Sequence, residues 1–114
     1  MYKEINTNEF KEKFLNNRDS LEIIDVRENF EFNQLRIKGS KLIPISNLGN
    51  KLNEINWDKE VIIICRSGAR SGYITNILNS KGFDSKNLAG GIEILKLNCE
   101  ECMKQGDINK DYFE

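Results

Sequence analysis

The chain has 114 residues, a formal net charge of −1, 31% charged and 39% hydrophobic residues, three cysteines and no histidine. That length supports one domain with one core, and near-neutral charge argues against a nucleic-acid or polybasic membrane protein. Without imidazole, triad hydrolases and histidine-based zinc sites are excluded, so any catalysis runs on Cys, Asp, Glu, Lys or Tyr. No apolar run approaches the roughly 20 residues of a membrane span, and the stretch from Met1 to Phe14 is charged throughout, with no secretory signal. The expectation is a cytoplasmic protein with reduced thiols at positions 65, 99 and 102 rather than a disulfide framework.

Tyr2 to Ile5 reads as a short extended entry. Asn6 is a candidate N-cap with Glu9 three residues on, and Phe10, Phe14 and Leu15 recur at helical spacing, which predicts a helix ending near Asn16 and Asn17. Leu21 to Val26 is rich in β-branched residues and reads as a strand. Phe30 and Leu35 fall in a short helix and the turn after it, closed by Gly39. Lys41 to Ile45, broken by Pro44, reads as a short extended run, after which Ser46 opens a helix with Leu48, Leu52 and Ile55 on one face.

Val61-Ile62-Ile63-Ile64 carries the strongest local signal, that of a central parallel strand buried on both faces. Ser71 to Ser80 has helical spacing and stops at Lys81-Gly82. Phe83 to Leu88 reads as a last strand, Gly90-Gly91 as a tight turn, Ile92 to Cys102 as a final helix, and Met103 to Glu114 as a loosely packed polar tail. Alternating strands and helices imply an α/β fold, a parallel five-stranded central sheet with helices on both faces, over residues 1–102. In such sheets ligands bind at the carboxyl ends of strands, and the residue ending the central strand is Cys65.

Cys65-Arg66-Ser67-Gly68-Ala69-Arg70-Ser71 joins that strand to a helix. Loop N–H groups and the positive end of a helix dipole favour thiolate over thiol, as do Arg66 and Arg70, so the Cys65 pKa is expected below the free value of about 8.5. A thiolate held in this way needs no histidine. Gly68 would let the loop turn inward without a Cβ clash. A cysteine ending a buried strand is most often only a small hydrophobe. Here, however, two of the chain's five arginines lie in the loop and two more, Arg27 and Arg36, follow the preceding strand, in a chain whose default cation is lysine. That placement points to forked anion recognition.

Ile24-Asp25-Val26-Arg27, Glu31-Phe32, Ile37, Gly39 and Pro44, then Val61 to Ser71 and Leu88-Ala89-Gly90-Gly91, resemble a single-domain rhodanese in order and spacing over residues 2–98. The resemblance implies a sulfurtransferase that needs no cofactor or metal. Cys65 would attack a sulfane sulfur, as in thiosulfate, expel sulfite and hold the sulfur as a persulfide for cyanide or a thiol. The amides of Arg66 to Arg70 would stabilise the sulfur, Arg66 and Arg70 would attract the anionic donor, and Asp25, Arg27 and Ser71 would support the loop. A protein persulfide is a further candidate partner; nucleic acid and membrane are not. Arg36 stands where the family commonly has histidine, and Ile92 where an aromatic residue often follows the double glycine. Both bear on the rim of the site.

Two other functions compete. Cysteine phosphatases and arsenate reductases of the cell-cycle phosphatase type use a loop one residue longer, with arginine six positions after the cysteine, whereas Arg70 follows Cys65 by five. The smaller loop suits a single sulfur atom and the longer one a tetrahedral oxyanion. A rhodanese-like interaction module typically lacks the cysteine. Cys99-Glu100-Glu101-Cys102 is a candidate pair of secondary thiols: a redox couple, half a zinc site that lacks its other two ligands, an accident of composition or structural packing, or a receiver of sulfur from Cys65 as persulfide or disulfide. The two glutamates would raise the pKa of such thiols and slow their reaction.

Overall fold

The structure is a computed structural model, and it describes residues 3–106. Thus the beginning of the extended entry and most of the polar tail, 107–114, lie outside the described residues. In chain order the elements are β1 (Glu4–Ile5), α1 (Thr7–Asn17), β2 (Leu21–Asp25), α2 (Asn29–Gln34), β3 (Leu35–Ile37), β4 (Lys41–Leu42) and α3 (Ile45–Leu48). There follow β5 (Glu60–Ile64), α4 (Ala69–Ser80), β6 (Lys86–Leu88), α5 (Gly91–Asn98) and β7 (Met103–Gln105). The main sheet has the order β1-β6-β5-β2-β4 and every pairing in it is parallel. This is the five-stranded parallel sheet that the alternating pattern implied. None of the helices among the described residues is long and apolar enough to cross a membrane.

Side chains alternate across a strand, so each strand supplies two cores. On one face Leu21, Ile23, Ile62 and Ile64 pack with Phe10 and Phe14 of α1 and Ile92 and Leu95 of α5. On the other, Ile24, Val26, Val61, Ile63 and Cys65 pack with Leu48 of α3 and Leu78 of α4. The four consecutive β-branched residues of β5 are needed because both faces are covered: Ile62, Ile63 and Ile64 are 0% exposed.

α1 begins as its cap residues require. The Glu9 amide donates to Asn6 Oδ1 at 2.8 Å and the Asn6 amide to Glu9 Oε1 at 3.4 Å, a reciprocal capping box. Three other elements are shorter than the sequence implies, whereas α4 begins two residues early, at Ala69. The helix expected from Ser46 is a single turn, because after Leu48 the amides of Asn50 and Lys51 bond three residues back and Lys51, at φ −124°, has left the helical conformation. Leu48, Leu52 and Ile55 nevertheless enter one core, so the apolar spacing reported burial without a continuous helix. The strand expected from Phe83 starts only at Lys86, since the Asn79 side chain holds both the amide and the carbonyl of Ser85 in a turn.

The final helix stops at Asn98, and a 3₁₀ turn over Glu100–Cys102 follows. That turn brings the Cα atoms of Cys99 and Cys102 to 5.4 Å, within disulfide range, and the two are bonded. The expectation of three reduced thiols therefore fails for this pair, and Cys65 is the free cysteine. Both bonded cysteines are 0% exposed, while Glu100 and Glu101 face solvent. The segment after them is also more ordered than expected. Met103–Gln105 pairs antiparallel with Leu35–Ile37, and the Lys38 amide donates to the Cys102 carbonyl at 2.8 Å. The hydrogen-bonding edge offered by β3 accounts for this, and a polar composition does not reveal it.

Two measurements check this account. Ile63→Ala, which empties space in the α4-side core, is expected to lower unfolding stability by about 2–5 kcal/mol in a urea titration. Thiol counting on denatured protein should find one reactive thiol before reduction and three after; three before reduction would contradict the disulfide.

Candidate active site

α4 starts without a side-chain cap of the usual kind. The N-cap is Gly68, at φ +94°, a left-handed conformation that leaves the first-turn N–H groups in need of an acceptor. The Cys65 sulfur takes that place. The Gly68 amide donates to Sγ at 3.1 Å and the Ser71 amide at 3.4 Å, while Ser71 Oγ lies 3.2 Å from the same atom. Burial pushes the Cys65 thiol up, but the Ser71 hydroxyl and the amides of Ser71, Gly68 and Ser67 outweigh it, and the pKa lies below its ordinary value.

The expected depression is thus present, and two of its donors lie in the expected run. Of the run Arg66 to Arg70, the amides acting on sulfur are those of Ser67 and Gly68, and Ser71 joins them. The Ala69 amide turns to Ser67 Oγ at 3.4 Å. Neither arginine side chain is bonded to the sulfur. Arg66 Nε pairs with Glu93 at 3.3 Å and Arg70 with Glu31 at 3.8 Å, on the rim. Beside the loop lies a groove of ≈ 380 Å³, whose walls include Arg27, Phe30, Glu31, Arg66, Ile92 and Glu93.

Asp25 and Arg27 form a buried ion pair. Arg27 Nε donates to both carboxylate oxygens at 3.0 and 3.1 Å, Nη2 donates to Oδ2 at 2.8 Å, and the Arg27 amide caps Oδ1 at 3.0 Å. Arg27 Nη2 also donates to the Leu35 carbonyl at 2.6 Å, so the pair ties β2 to the start of β3. It supports the groove wall and makes no described bond to the cysteine loop. Arg36 stacks its guanidinium 4.7 Å from the Phe32 ring centroid and belongs to β3, away from the groove lining. Cys99 and Cys102 pack in the α1 and α5 core, on the sheet face opposite the Cys65 cluster. Their sulfurs are bonded to each other, and the structure does not bring them together with Cys65.

Two residues were missed from the sequence. Gly91 was read only as part of a turn, yet a Cβ there would meet the Cys65 carbonyl oxygen at 2.6 Å; its absence lets the Ile92 and Glu93 amides donate to the Cys65 and Arg66 carbonyls. Asn87, 1% exposed on β6, accepts from the Ser71 hydroxyl and donates from Nδ2 to the Gly68 carbonyl at 3.1 Å. Asp84-Ser85-Lys86-Asn87 is polar throughout, so no local signal in the sequence singled Asn87 out.

A parallel α/β sheet with a cysteine seated in an amide cradle at the carboxyl end of its central strand defines a class of thiolate proteins. Comparison places the chain within that class: residues 6–97 match the rhodanese-like domain model, and the protein belongs to the rhodanese-like family. It is 37% identical over 90 residues to the putative sulfurtransferase YtwF of Bacillus subtilis, covering 79% of this chain and 86% of that one. It is 32% identical over 93 residues to a sulfurtransferase of Allochromatium vinosum, covering 81% and 86%. A rhodanese-like domain protein from Staphylococcus aureus superimposes with a TM-score of 0.74 at 33% identity, covering 82% of this chain and 90% of that one. These relatives support a sulfurtransferase-type role.

The cradle makes a direct prediction. Because the thiolate is favoured, iodoacetamide labelling of Cys65 should rise with pH through a midpoint below the usual thiol value of about 8.5. Ser71→Ala, which removes one of the donors, should move that midpoint upward; an unchanged midpoint would show that the hydroxyl contributes nothing.

Proposed function

We propose that the protein is a rhodanese-type sulfurtransferase in which Cys65 carries sulfur as a persulfide between a small anionic donor and a thiophilic acceptor. The observation that carries this reading is the convergence of the Gly68 and Ser71 amides and the Ser71 hydroxyl on one sulfur atom. In the first half-reaction the Cys65 thiolate attacks the outer sulfur of thiosulfate. A Cys65 S–S bond forms, the sulfur–sulfite bond breaks, and sulfite leaves with the electron pair. The negative charge then resides on the terminal sulfur of the persulfide. In the second, cyanide or a thiolate attacks that terminal sulfur and returns Cys65 as thiolate. Splitting the transfer in this way replaces one difficult encounter by two easier ones.

The cradle suits charge on sulfur because its donors are fixed by backbone geometry before the reaction begins. Cys65 is 0% exposed in the free protein, so a productive encounter includes an outward movement of rim side chains. Arg66 and Arg70, with side chains 67% and 48% exposed, are free enough of the core to exchange their carboxylate partners for an anionic donor. Asp25 and Arg27 hold the groove wall and take no part in bond exchange.

The loop length argues against the phosphatase reading. Arg70 lies one position too early to encircle a tetrahedral oxyanion in the manner of the longer loops. The presence of Cys65 argues against a purely non-catalytic module.

Thiosulfate with cyanide should yield thiocyanate, and Cys65→Ser should abolish it by at least about a thousandfold, the scale expected when a nucleophile is removed. Intact-mass analysis after thiosulfate treatment should find one added sulfur on Cys65. Activity that survives Cys65→Ser, or turnover of an aryl phosphate in place of thiosulfate, would refute the proposal.

A further inference from the structure

The cradle contains a contest for one proton. Ser71 has a single hydroxyl hydrogen, and its oxygen lies within reach of two atoms: Cys65 Sγ at 3.2 Å and Asn87 Oδ1. The Asn87 amide is not free to turn over and offer a donor instead. Its Nδ2 is held by the Gly68 carbonyl at 3.1 Å, which leaves Oδ1 facing Ser71 as an acceptor. A thiolate is likewise an acceptor only. Ser71 therefore cannot satisfy both at once.

We infer that Asn87 is a positioning residue that holds the Ser71 hydroxyl when the Cys65 sulfur is uncharged and releases it to the sulfur when the thiolate forms. This deepens the sulfur-transfer reading and rests on it for the step served. While Cys65 is a thiol, its S–H donates to Ser71 Oγ and the Ser71 O–H donates to Asn87 Oδ1. When the thiol proton leaves to solvent, the Ser71 O–H rotates onto the sulfur. When Sγ bonds to the donor sulfur and sulfite departs with its electron pair, negative charge passes to the outer sulfur, and the hydroxyl returns to Asn87. Throughout, the second arm of Asn87 keeps the Gly68 carbonyl, and with it the loop, in place.

The surroundings isolate this effect. The charged groups around the loop are paired among themselves, Arg66 with Glu93, Arg70 with Glu31 and Arg27 with Asp25. Asn87 is 1% exposed, so solvent does not substitute for its carboxamide. Since Cys99 and Cys102 are bonded, alkylation of the folded, unreduced protein reads Cys65 alone.

The test is the pH dependence of iodoacetamide labelling in wild type, Asn87→Ala, Asn87→Leu, Ser71→Ala and the two double variants. Leucine is near-isosteric and guards against collapse of the site in the alanine variant. Removing the competing acceptor should give the whole Ser71 hydrogen bond to the thiolate. The labelling midpoint should then fall, with the acid dissociation constant rising about threefold or more, the scale of one neutral hydrogen bond. In the Ser71→Ala background the same replacements should leave the midpoint where Ser71→Ala put it. An equal shift with and without the hydroxyl, an upward shift, or no shift in any background overturns the inference. Labelling requires no sulfur donor or acceptor, so failure of the proposed activity and failure of this coupling are distinguishable. If the coupling holds, kcat for the thiosulfate half-reaction should change in Asn87→Leu with little change in KM.

Discussion

A helix needs acceptors for its first N–H groups, and in this protein the acceptor at the start of α4 is the sulfur of Cys65. Much of the site geometry follows from that one arrangement. For the sulfur to reach the amides, the loop must close within a few residues, which places Gly68 in the left-handed region and brings its backbone against the end of β6. The loop must also be supported from the other side. Gly91 allows the first turn of α5 to approach the Cys65 and Arg66 carbonyls, so the cysteine is fastened through both its side chain and its backbone. Chemistry and folding thus use the same hydrogen bonds. A group that caps a helix is held in an environment that favours its negative charge.

The sheet determines what the site can communicate with. Because successive side chains on β5 face opposite ways, Cys65 shares a core with Ile63 and Val61, while Ile62 and Ile64 share theirs with Phe10, Phe14 and the Cys99–Cys102 bridge. The bridge closes the end of α5 against the β3–β7 ladder, whereas the N-terminal end of the same helix abuts the cysteine loop. Its position is therefore that of a clasp on the far side of the domain. The buried Asp25–Arg27 pair has a comparable structural character: its bonds join the end of β2 to Leu35 and give the groove one firm wall. The donors that meet the sulfur come from the loop and Ser71, whereas the loop arginines pair with carboxylates on the rim.

Much of this was legible in the sequence, and the misses share causes. The β-branched run from Val61 to Ile64 specified a strand covered on both faces, and the turn residues around it placed Cys65 at its carboxyl end, because these are local properties of backbone preference and burial. The capping pair Asn6 and Glu9 likewise fixed the start of α1. The apolar spacing of Leu48, Leu52 and Ile55 correctly reported a shared core but not a continuous helix, since periodicity records which side chains are covered and not where the backbone leaves the helix, here by Lys51. The sequence suggested loop amides and the helix dipole as the source of thiolate stabilisation, and the clustering of arginines added their guanidinium groups to it. In the folded chain Arg66 and Arg70 find nearer partners in Glu93 and Glu31, residues remote in sequence.

By itself the sequence determined the α/β class, the central strand, the cysteine that ends it and the length of the loop that follows, all of which depend on residues near one another along the chain. Tertiary structure alone decided which donors meet the sulfur, that Asn87 and Gly91 stand behind the loop, that Cys99 and Cys102 lie across the sheet from Cys65, and that Met103–Gln105 finds a partner in Leu35–Ile37. The reason is physical. Each of these is a meeting between segments brought together by packing, and no local preference records whom a side chain will meet.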